Sequence, residues 1–559
     1  MKAFRFSREA ILVIGILALA LILRAWGVGF GLPFLYHADE PIVVNHALAY
    51  GMGDLNPHFF NIPPLVSYLL FICYGIYCVA GWGSGLFRSV VDFEQLFYFD
   101  PSSFYLIARL VFGVFLGTLS VYALFRLVKR FGDMRTALWA SFFFAVNFLH
   151  ARDSHYIYTD IPLLLVLLLG FLVFFRLSEN PTSWKWHLFA GGVIGLAVAT
   201  KYNGVFLAIP YLWICLRRVP WKQWLIFWCP AALAACAVFM MLNPYAILDH
   251  AFFMKELAEQ SAANSGGGLS WFHHLTYSLA GALGWPMLVL ALLGVLRALF
   301  SKDVSLQAVA VFVVGYYVVL CHFGQPWDRY VLPLVPFMLI LAAEVLIGIM
   351  MKSRLLFWVL IPFVVLPSII KTVHWDRLMS EPDVRTVAKD WVEAHIPAGS
   401  RLALDGTFYM PRLAFSTEQL EEKRARATEG FQSEAKKRRL DALLSKPYPS
   451  SYELYFLSRD PENSGFLFSE PSVPFDFEVL KQKGVEYVLL IDAHHSWGDP
   501  FFDALQENAD RVMTFSPHRD SRDLTIRDPQ IMTGGPFLWR DILPRERSGY
   551  PISIYRLRS

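Results

Sequence analysis

ILVIGILALALILRAWGVGFG, residues 11–31, is apolar apart from Arg24, and it runs directly into LPFLYHADE, residues 32–40. At about 1.5 Å of rise per residue a helix of this length reaches across the roughly 30 Å hydrocarbon core of a bilayer. Apolar blocks of similar length recur along a chain of 559 residues that is 56% hydrophobic and only 17% charged, with a mean hydropathy of +0.43. Such a composition describes a polytopic membrane protein. The net charge of +3 comes from short basic clusters between apolar blocks, which read as topology signals and argue against nucleic acid as a partner. The stretch Met1 to Arg8 is basic and no small-residue cleavage site follows it, so the first span is expected to be retained. All six cysteines lie in apolar segments, which suggests neither a disulfide framework nor a zinc site.

Basic clusters at Lys2/Arg5/Arg8, Arg126/Lys129/Arg130/Arg135, Arg176/Lys185, Arg217/Arg218/Lys222, Arg297/Lys302 and Lys352/Arg354 belong in the cytoplasm by the positive-inside rule. Meeting that rule everywhere calls for about eleven transmembrane helices, at 11–31, 104–128, 136–152, 157–176, 187–200, 203–216, 222–243, 279–300, 305–323, 330–351 and 354–371. Two segments need special treatment. The stretch 64–81 is read as an interfacial or re-entrant helix inside a long external loop, 32–103. The run 187–216 is split at Thr200-Lys201-Tyr202-Asn203, which leaves Lys201 near the external end of a helical hairpin. An odd count starting inside delivers the C-terminus outside.

From about 375 charged residues become frequent and apolar runs shorten to strand length. The expected organisation is a mainly α membrane domain, 1–374, followed by a soluble extracytoplasmic α/β domain, 375–559. Asp383 to His395 reads as an amphipathic helix, a strand is expected near Arg401–Leu404 and another in 484–491, and 417–445 reads as a solvated helix or insertion.

Once the cytoplasmic clusters are set aside, the ionisable groups at span ends gather on the external side: Asp39, Glu40, Arg109, Arg152, Asp153, His155, Asp160, Lys201, Asp328 and Arg329. Charges at a membrane edge are costly, so they pair with one another or serve a pathway. Both readings stand for each motif. Glu40 or Asp39 caps the short helix after Pro41, or one of them takes a proton from an acceptor hydroxyl while the other positions it. Asp160 or Thr159 caps the helix opened by Pro162, or Asp160 belongs to a site. Lys201 snorkels to headgroups, or it holds a phosphate oxygen. Arg329 pairs locally with Asp328, or its guanidinium grips a phosphate in bidentate fashion. Asp153 and His155 are spaced to share a cation, but two ligands make a weak metal signal. The turn-rich stretch Gly53 to Leu65 reads as architecture.

Taken together, a span followed by His37-Ala38-Asp39-Glu40, the segment from Gly53-Asp54 to Pro63-Pro64-Leu65, Ser154-His155-Tyr156 with Thr159-Asp160-Ile161-Pro162, Ala199-Thr200-Lys201-Tyr202-Asn203 and Arg329-Tyr330-Val331-Leu332-Pro333 resembles the bacterial membrane glycosyltransferases related to protein O-mannosyltransferases and the aminoarabinose transferase of lipid A. The likeness covers roughly 8–371. It implies a GT-C fold in the bacterial inner membrane. The implied activity is sugar transfer, with inversion, from a polyprenyl-phosphate donor to a lipid, glycan or protein acceptor outside the cytoplasm. Carried onto matching positions, Asp39 is the base, Glu40 its neighbour and Asp160 a further acid. Lys201 and Arg329 are candidates for the carrier phosphate, with Arg152, His155, Tyr202 and Tyr330 beside them. No cofactor is required by these residues, and a divalent metal stays open. The chain departs from the aminoarabinose transferase at Asn61-Ile62, where that family has Glu-Lys, so lipid A does not follow as acceptor. A lipid-linked sugar flippase or a non-catalytic assembly subunit would share much of this pattern. A flippase, however, needs basic contacts along a path to the cytoplasm, and the candidates gather on one side.

Overall fold

The computed structural model describes residues 7–264, 270–324, 326–406, 409–427, 433–446, 448–459, 472–491, 499–524 and 537–558. Their contacts divide into two compact units, one made of Met1–Val28, Ile42–Gly75 and Tyr105–Asp376, the other of Gly29–Pro41, Ile76–Phe104 and Arg377–Ser559.

The first unit is helical. Among the described residues six helical runs suit a membrane crossing by length and composition, namely Leu65–Gly83, Ser102–Phe131, Asp160–Glu179, Trp221–Leu242, Asp328–Lys352 and the run opening at Arg354. A seventh is added if Trp271–Leu283 and Trp285–Leu299, bent by 113°, count as one. Several of the eleven expected spans form as short or interrupted helices, which a length criterion does not count: Met134–Ala145 has 12 residues and Ala208–Arg218 has 11. Leu65–Gly83, covering the stretch expected as an interfacial or re-entrant helix, is 19 residues long and apolar enough to cross. The split near Lys201 is present. The helix Trp184–Thr200 stops there, Lys201 is extended (φ −158°, ψ 136°), and a 3-10 turn, Tyr202–Leu207, leads into Ala208–Arg218.

Small residues let the first unit's helices approach closely. Gly191 and Gly195 of Trp184–Thr200 lie against the carbonyls of Ala231 and Ala235 in Trp224–Leu242, where an added Cβ would collide with the backbone. Both partners repeat the small residue every fourth position, which sets one stripe of each helix against the other. Arg24, buried near the end of the helix Arg8–Ala25, donates to the carbonyls of Ala145 (3.0 Å) and Phe144 (3.3 Å), the last residues of Met134–Ala145. It thereby satisfies helix-end acceptors that water cannot reach. The stretch after Gly53 is architectural, as expected: Asp54 accepts from Asn56 N–H (2.8 Å), Asn56 from His58 N–H (3.1 Å), and Tyr68 donates to the Leu55 carbonyl (2.9 Å).

The second unit carries a sheet of seven strands among the described residues: β1 Arg401–Asp405, β2 Ala414–Phe415, β3 Ser451–Ser458, β4 Ser472–Pro474, β5 Tyr487–Leu490, β6 Ala509–Phe515 and β7 Ile552–Leu557. The order is β2-β3-β1-β5-β7-β6, with β4 also on β3. Pairing is parallel from β2 through β5, and β7 runs antiparallel to both β5 and β6. Side chains alternate along β1. Leu402 and Leu404 join a core with Val384, Ala388 and Val392 of the helix Val384–His395, whereas Ala403 joins Leu480, Phe501 and Leu505 from helices on the other side. Helices on both faces account for the continuous apolar strands. The amphipathic helix and the strand near 401 match expectation, and β5 occupies part of 484–491. The solvated segment forms two helices, Thr417–Arg426 and Ser433–Ser445, with 428–432 outside the described residues.

The strap Gly29–Pro41 belongs to this second unit. Asp383 caps Val384–His395 and receives a fork from Arg385, Nε to Oδ1 at 2.8 Å and Nη2 to Oδ2 at 2.9 Å. The same guanidinium lies 3.9 Å from the centre of the Tyr36 ring, and the Tyr36 hydroxyl sits 3.0 Å from Thr386 Oγ1. A buried, fully forked arginine thus grips the strap by its tyrosine.

Two outcomes follow from this packing. Replacing Gly195 by Leu is expected to cost about 1–3 kcal/mol through overpacking, read as a lowered unfolding midpoint in detergent. Gly192→Ala, whose Cβ meets only a Val238 methyl at 3.8 Å, should leave the midpoint unchanged. In the second unit, burial, with Lys436, Arg439 and Arg426 adding repulsion, pulls the Lys423 ammonium down from 10.5 to about 7. Because the folded value lies below the unfolded one, the folded state binds fewer protons between pH 7 and 10.5, and stability should rise with pH across that window. Lys423→Met should therefore raise the unfolding temperature most at pH 7 and progressively less toward pH 10.

Candidate functional site

Three stretches distant in sequence supply a cluster of ionisable groups in the first unit: the turn 152–160 between the helices Phe148–Asp153 and Asp160–Glu179, the break at Lys201, and the 3-10 turn Asp328–Leu334. Gln325, just before the last of these, lies outside the described residues. Asp160 is the first residue of its helix. Thr159 occupies the cap position, but its side chain makes no capping hydrogen bond.

The Asp160 carboxylate is taken by Lys201 instead, whose Nζ donates to Oδ1 at 2.6 Å, with the two side chains 6% and 13% exposed. Lys201 therefore turns inward to an acid, not outward to headgroups. Its Nζ also lies 5.4 Å from the centre of the Tyr158 ring and 5.6 Å from that of Tyr330. Arg329 rests its guanidinium carbon 5.0 Å from the centre of the same Tyr158 ring. Two cations thus flank one aromatic ring, each contributing roughly 0.5–2 kcal/mol depending on desolvation. Tyr158 was missed in the sequence, where it stands as an unremarked position between His155 and Asp160. The clue available was an aromatic residue in a short loop rich in charge.

Asp328 anchors the third stretch. Its Oδ2 accepts from Arg152 Nη1 at 2.6 Å and its Oδ1 from the Arg329 backbone N–H, also at 2.6 Å. Arg152 extends the network by donating Nε to Asp153 Oδ1 at 2.7 Å. Asp328 thus meets Arg329 through its peptide, while the guanidinium, whose charge also acts on Asp328, lies over Tyr158.

The other sequence candidates make contacts within the protein. Arg152 is almost wholly buried and bridges two carboxylates, a geometry that ties the 152–160 turn to the 328–334 turn. His155 is fully buried, with Nδ1 2.9 Å from the Ala151 carbonyl, Nε2 2.7 Å from the Trp26 carbonyl and Asp376 at 3.6 Å. Tyr202 donates to the Phe60 carbonyl at 2.8 Å. These three are expected phosphate contacts whose observed polar atoms meet protein partners, because a polar atom buried among helices needs one. Lys201, Arg329, Tyr330 and Asp160 are brought together. Asp39 and Glu40 belong to the second unit, where Asp39 N–H points to His37 Nδ1 at 3.3 Å and Glu40 begins the helix Glu40–Ala49, its charge at the positive end of the dipole.

A metal does not fit these residues. Among the described residues no group of three or more His, Cys, Asp or Glu side chains could hold an ion, and the suggested Asp153 and His155 turn to Arg152 and Trp26.

Residues 69–255, which include Asp160 and Lys201, match the family model of dolichyl-phosphate-mannose-protein mannosyltransferase. No curated protein matches the chain. Among solved structures, ArnT from Cupriavidus metallidurans is similar at 14% identity over 98% of each chain, with a TM-score of 0.50. The oligosaccharyltransferase of Archaeoglobus fulgidus is similar at 12% identity over 88% of this chain and 70% of that one (TM-score 0.48). The Pmt1-Pmt2 protein O-mannosyltransferase complex of S. cerevisiae matches at 21% identity over 48% of this chain and 37% of that one (TM-score 0.31). The near full-length superposition on ArnT shows the fold: this is a multi-pass membrane protein with the GT-C architecture.

The Arg152 bridge makes a stability claim. Asp328→Ala removes one of two acids from a buried guanidinium and is expected to cost about 3–5 kcal/mol, measured as a lowered midpoint of unfolding in detergent. An unchanged midpoint would show that the bridge contributes nothing.

Proposed function

We propose that this protein is a membrane glycosyltransferase that moves a sugar from a polyprenyl-phosphate carrier to an acceptor hydroxyl on the extracytoplasmic face of the bacterial cytoplasmic membrane. The observation that carries the reading is the Lys201–Asp160 pair, with Arg329 and two tyrosine rings around it, because its two members lie inside the segment matching a family named for a polyprenyl-phosphate-linked mannose donor. In this reading residues 1–374 form the transmembrane catalytic domain, with the N-terminus in the cytoplasm, and 375–559 an extracytoplasmic domain.

Each role follows from charge. An ammonium presents three donors, so one carboxylate can fix its position in a site where a further anion is held. Lys201, oriented by Asp160, and Arg329, steadied on Tyr158, hold the carrier phosphate. As the bond between the anomeric carbon and the phosphate oxygen breaks, both electrons leave with the phosphate, and the two cations stabilise the charge that develops there. The acceptor oxygen attacks the anomeric carbon from the opposite side, which inverts it, and its proton passes to a carboxylate. Asp39 is assigned that role by the motif it carries, with Glu40 beside it.

Purified protein in nanodiscs, given a labelled polyprenyl-phosphate sugar and a membrane lipid extract, tests this. Asp39→Asn should lower transfer about 100- to 10,000-fold, as loss of a general base does, without changing donor affinity. Lys201→Gln and Arg329→Gln should each weaken donor binding. Full transfer by the Asp39 variant removes it as base; unchanged donor affinity in both cation variants would assign the cluster to folding alone.

A further inference from the structure

At the other end of the helix Asp160–Glu179 a cavity of about 810 Å³ opens between it and Leu116–Phe131, closed on one side by Trp186. Asp160 and Arg176 are 16 residues apart, about 24 Å of helical rise, so this cavity is separate from the Lys201 cluster. Its walls change character along their length. Leu119 and Leu169, both well exposed, belong to an aliphatic floor, while Arg126, Lys129 and Arg176 stand at the mouth.

The positive-inside rule accounts for bases at these helix ends, but a topology signal requires only charge, not a groove leading from the bases into an apolar wall. Among the described residues the bases also exceed their counter-ions. Arg130 pairs with Glu179, which lies 3.6 Å from Arg176 as well, so one carboxylate serves two of the four basic side chains that line the cavity. Arg126 donates to the Tyr122 hydroxyl at 3.0 Å. Cationic side chains at one end of an aliphatic trough, with the Trp186 indole in the same wall, are complementary to one chemical class.

We propose that this groove binds an anionic glycerophospholipid, its phosphodiester between Arg126, Lys129 and Arg176 and an acyl chain along Leu119 and Leu169. The positive charge of a zwitterionic headgroup would be repelled by the same three bases, so the site selects by net charge.

Native mass spectrometry of the full-length protein tests the proposal after incubation with vesicles of phosphatidylglycerol, phosphatidylcholine, or phosphatidylcholine doped with undecaprenyl phosphate. The parent protein should retain phosphatidylglycerol at least tenfold more than phosphatidylcholine. The triple variant Arg126→Gln, Lys129→Gln, Arg176→Gln should lose that preference, and the double variant Arg126→Lys, Arg176→Lys should keep it while unfolding at the same temperature as the parent. Equal retention of both phospholipids by the parent, or an undiminished preference in the triple variant, overturns the assignment. Preferential retention of undecaprenyl phosphate, lost in the triple variant, would instead assign the groove to the carrier.

Discussion

A charge drawn into the helical interior of a membrane protein has to meet its opposite, and the Lys201–Asp160 bridge is where that requirement shapes the first unit most visibly. To place an ammonium there the helix beginning at Trp184 must stop at Thr200, present Lys201 in extended backbone, and resume as a 3-10 turn. To place the carboxylate there the turn before Asp160 must be held, and Arg152 holds it by reaching from Asp153 to Asp328. The third stretch is fixed through the same acid. Break, turn and 3-10 segment thus depend on one another through complementary charge, so the loss of any one member leaves another buried without its match.

The cluster is close to neutral among its principal members: Arg152, Lys201 and Arg329 against Asp153, Asp160 and Asp328. Near neutrality lowers the cost of holding these charges in a helical interior. Arg329 rests its guanidinium on the Tyr158 ring, and under the proposed function it is a cation that meets the carrier phosphate. Arg152 is the opposite case, since its two acids fix it. The same residue type in two neighbouring motifs therefore does two different jobs, and only the geometry separates them.

Much of the fold was legible in the chain. The split at Thr200-Lys201 followed from requiring Arg217-Arg218 to stay in the cytoplasm, and the structure breaks there. The change to α/β composition near 375, the helix capped at Asp383 and the strand at Arg401 were readable because capping and alternation are local signals. The span count was less legible, because helices such as Met134–Ala145 are shorter than the apolar run that contains them and Leu65–Gly83 is as long as a crossing. In the site, Lys201, Asp160 and Arg329 stood out as charges that topology did not explain. His155 stood out for the same reason and Tyr202 through the family resemblance, yet their partners include backbone carbonyls at Trp26 and Phe60, which no residue pattern advertises. Tyr158 escaped notice because an aromatic residue in a membrane protein is ordinary until its ring faces are mapped.

The grip of Arg385 on Tyr36 ties an early segment to a late one. The strap 29–41 carries Asp39 and Glu40, but the side chains that seat its tyrosine come from the helix capped at Asp383, more than three hundred residues downstream. During synthesis the acidic pair emerges long before the groups that hold its anchor exist. The seat for its tyrosine is therefore complete only once the helix capped at Asp383 has been synthesised. A chain shortened at Asp376 would carry every residue of the HADE motif and none of the seat made for its strap.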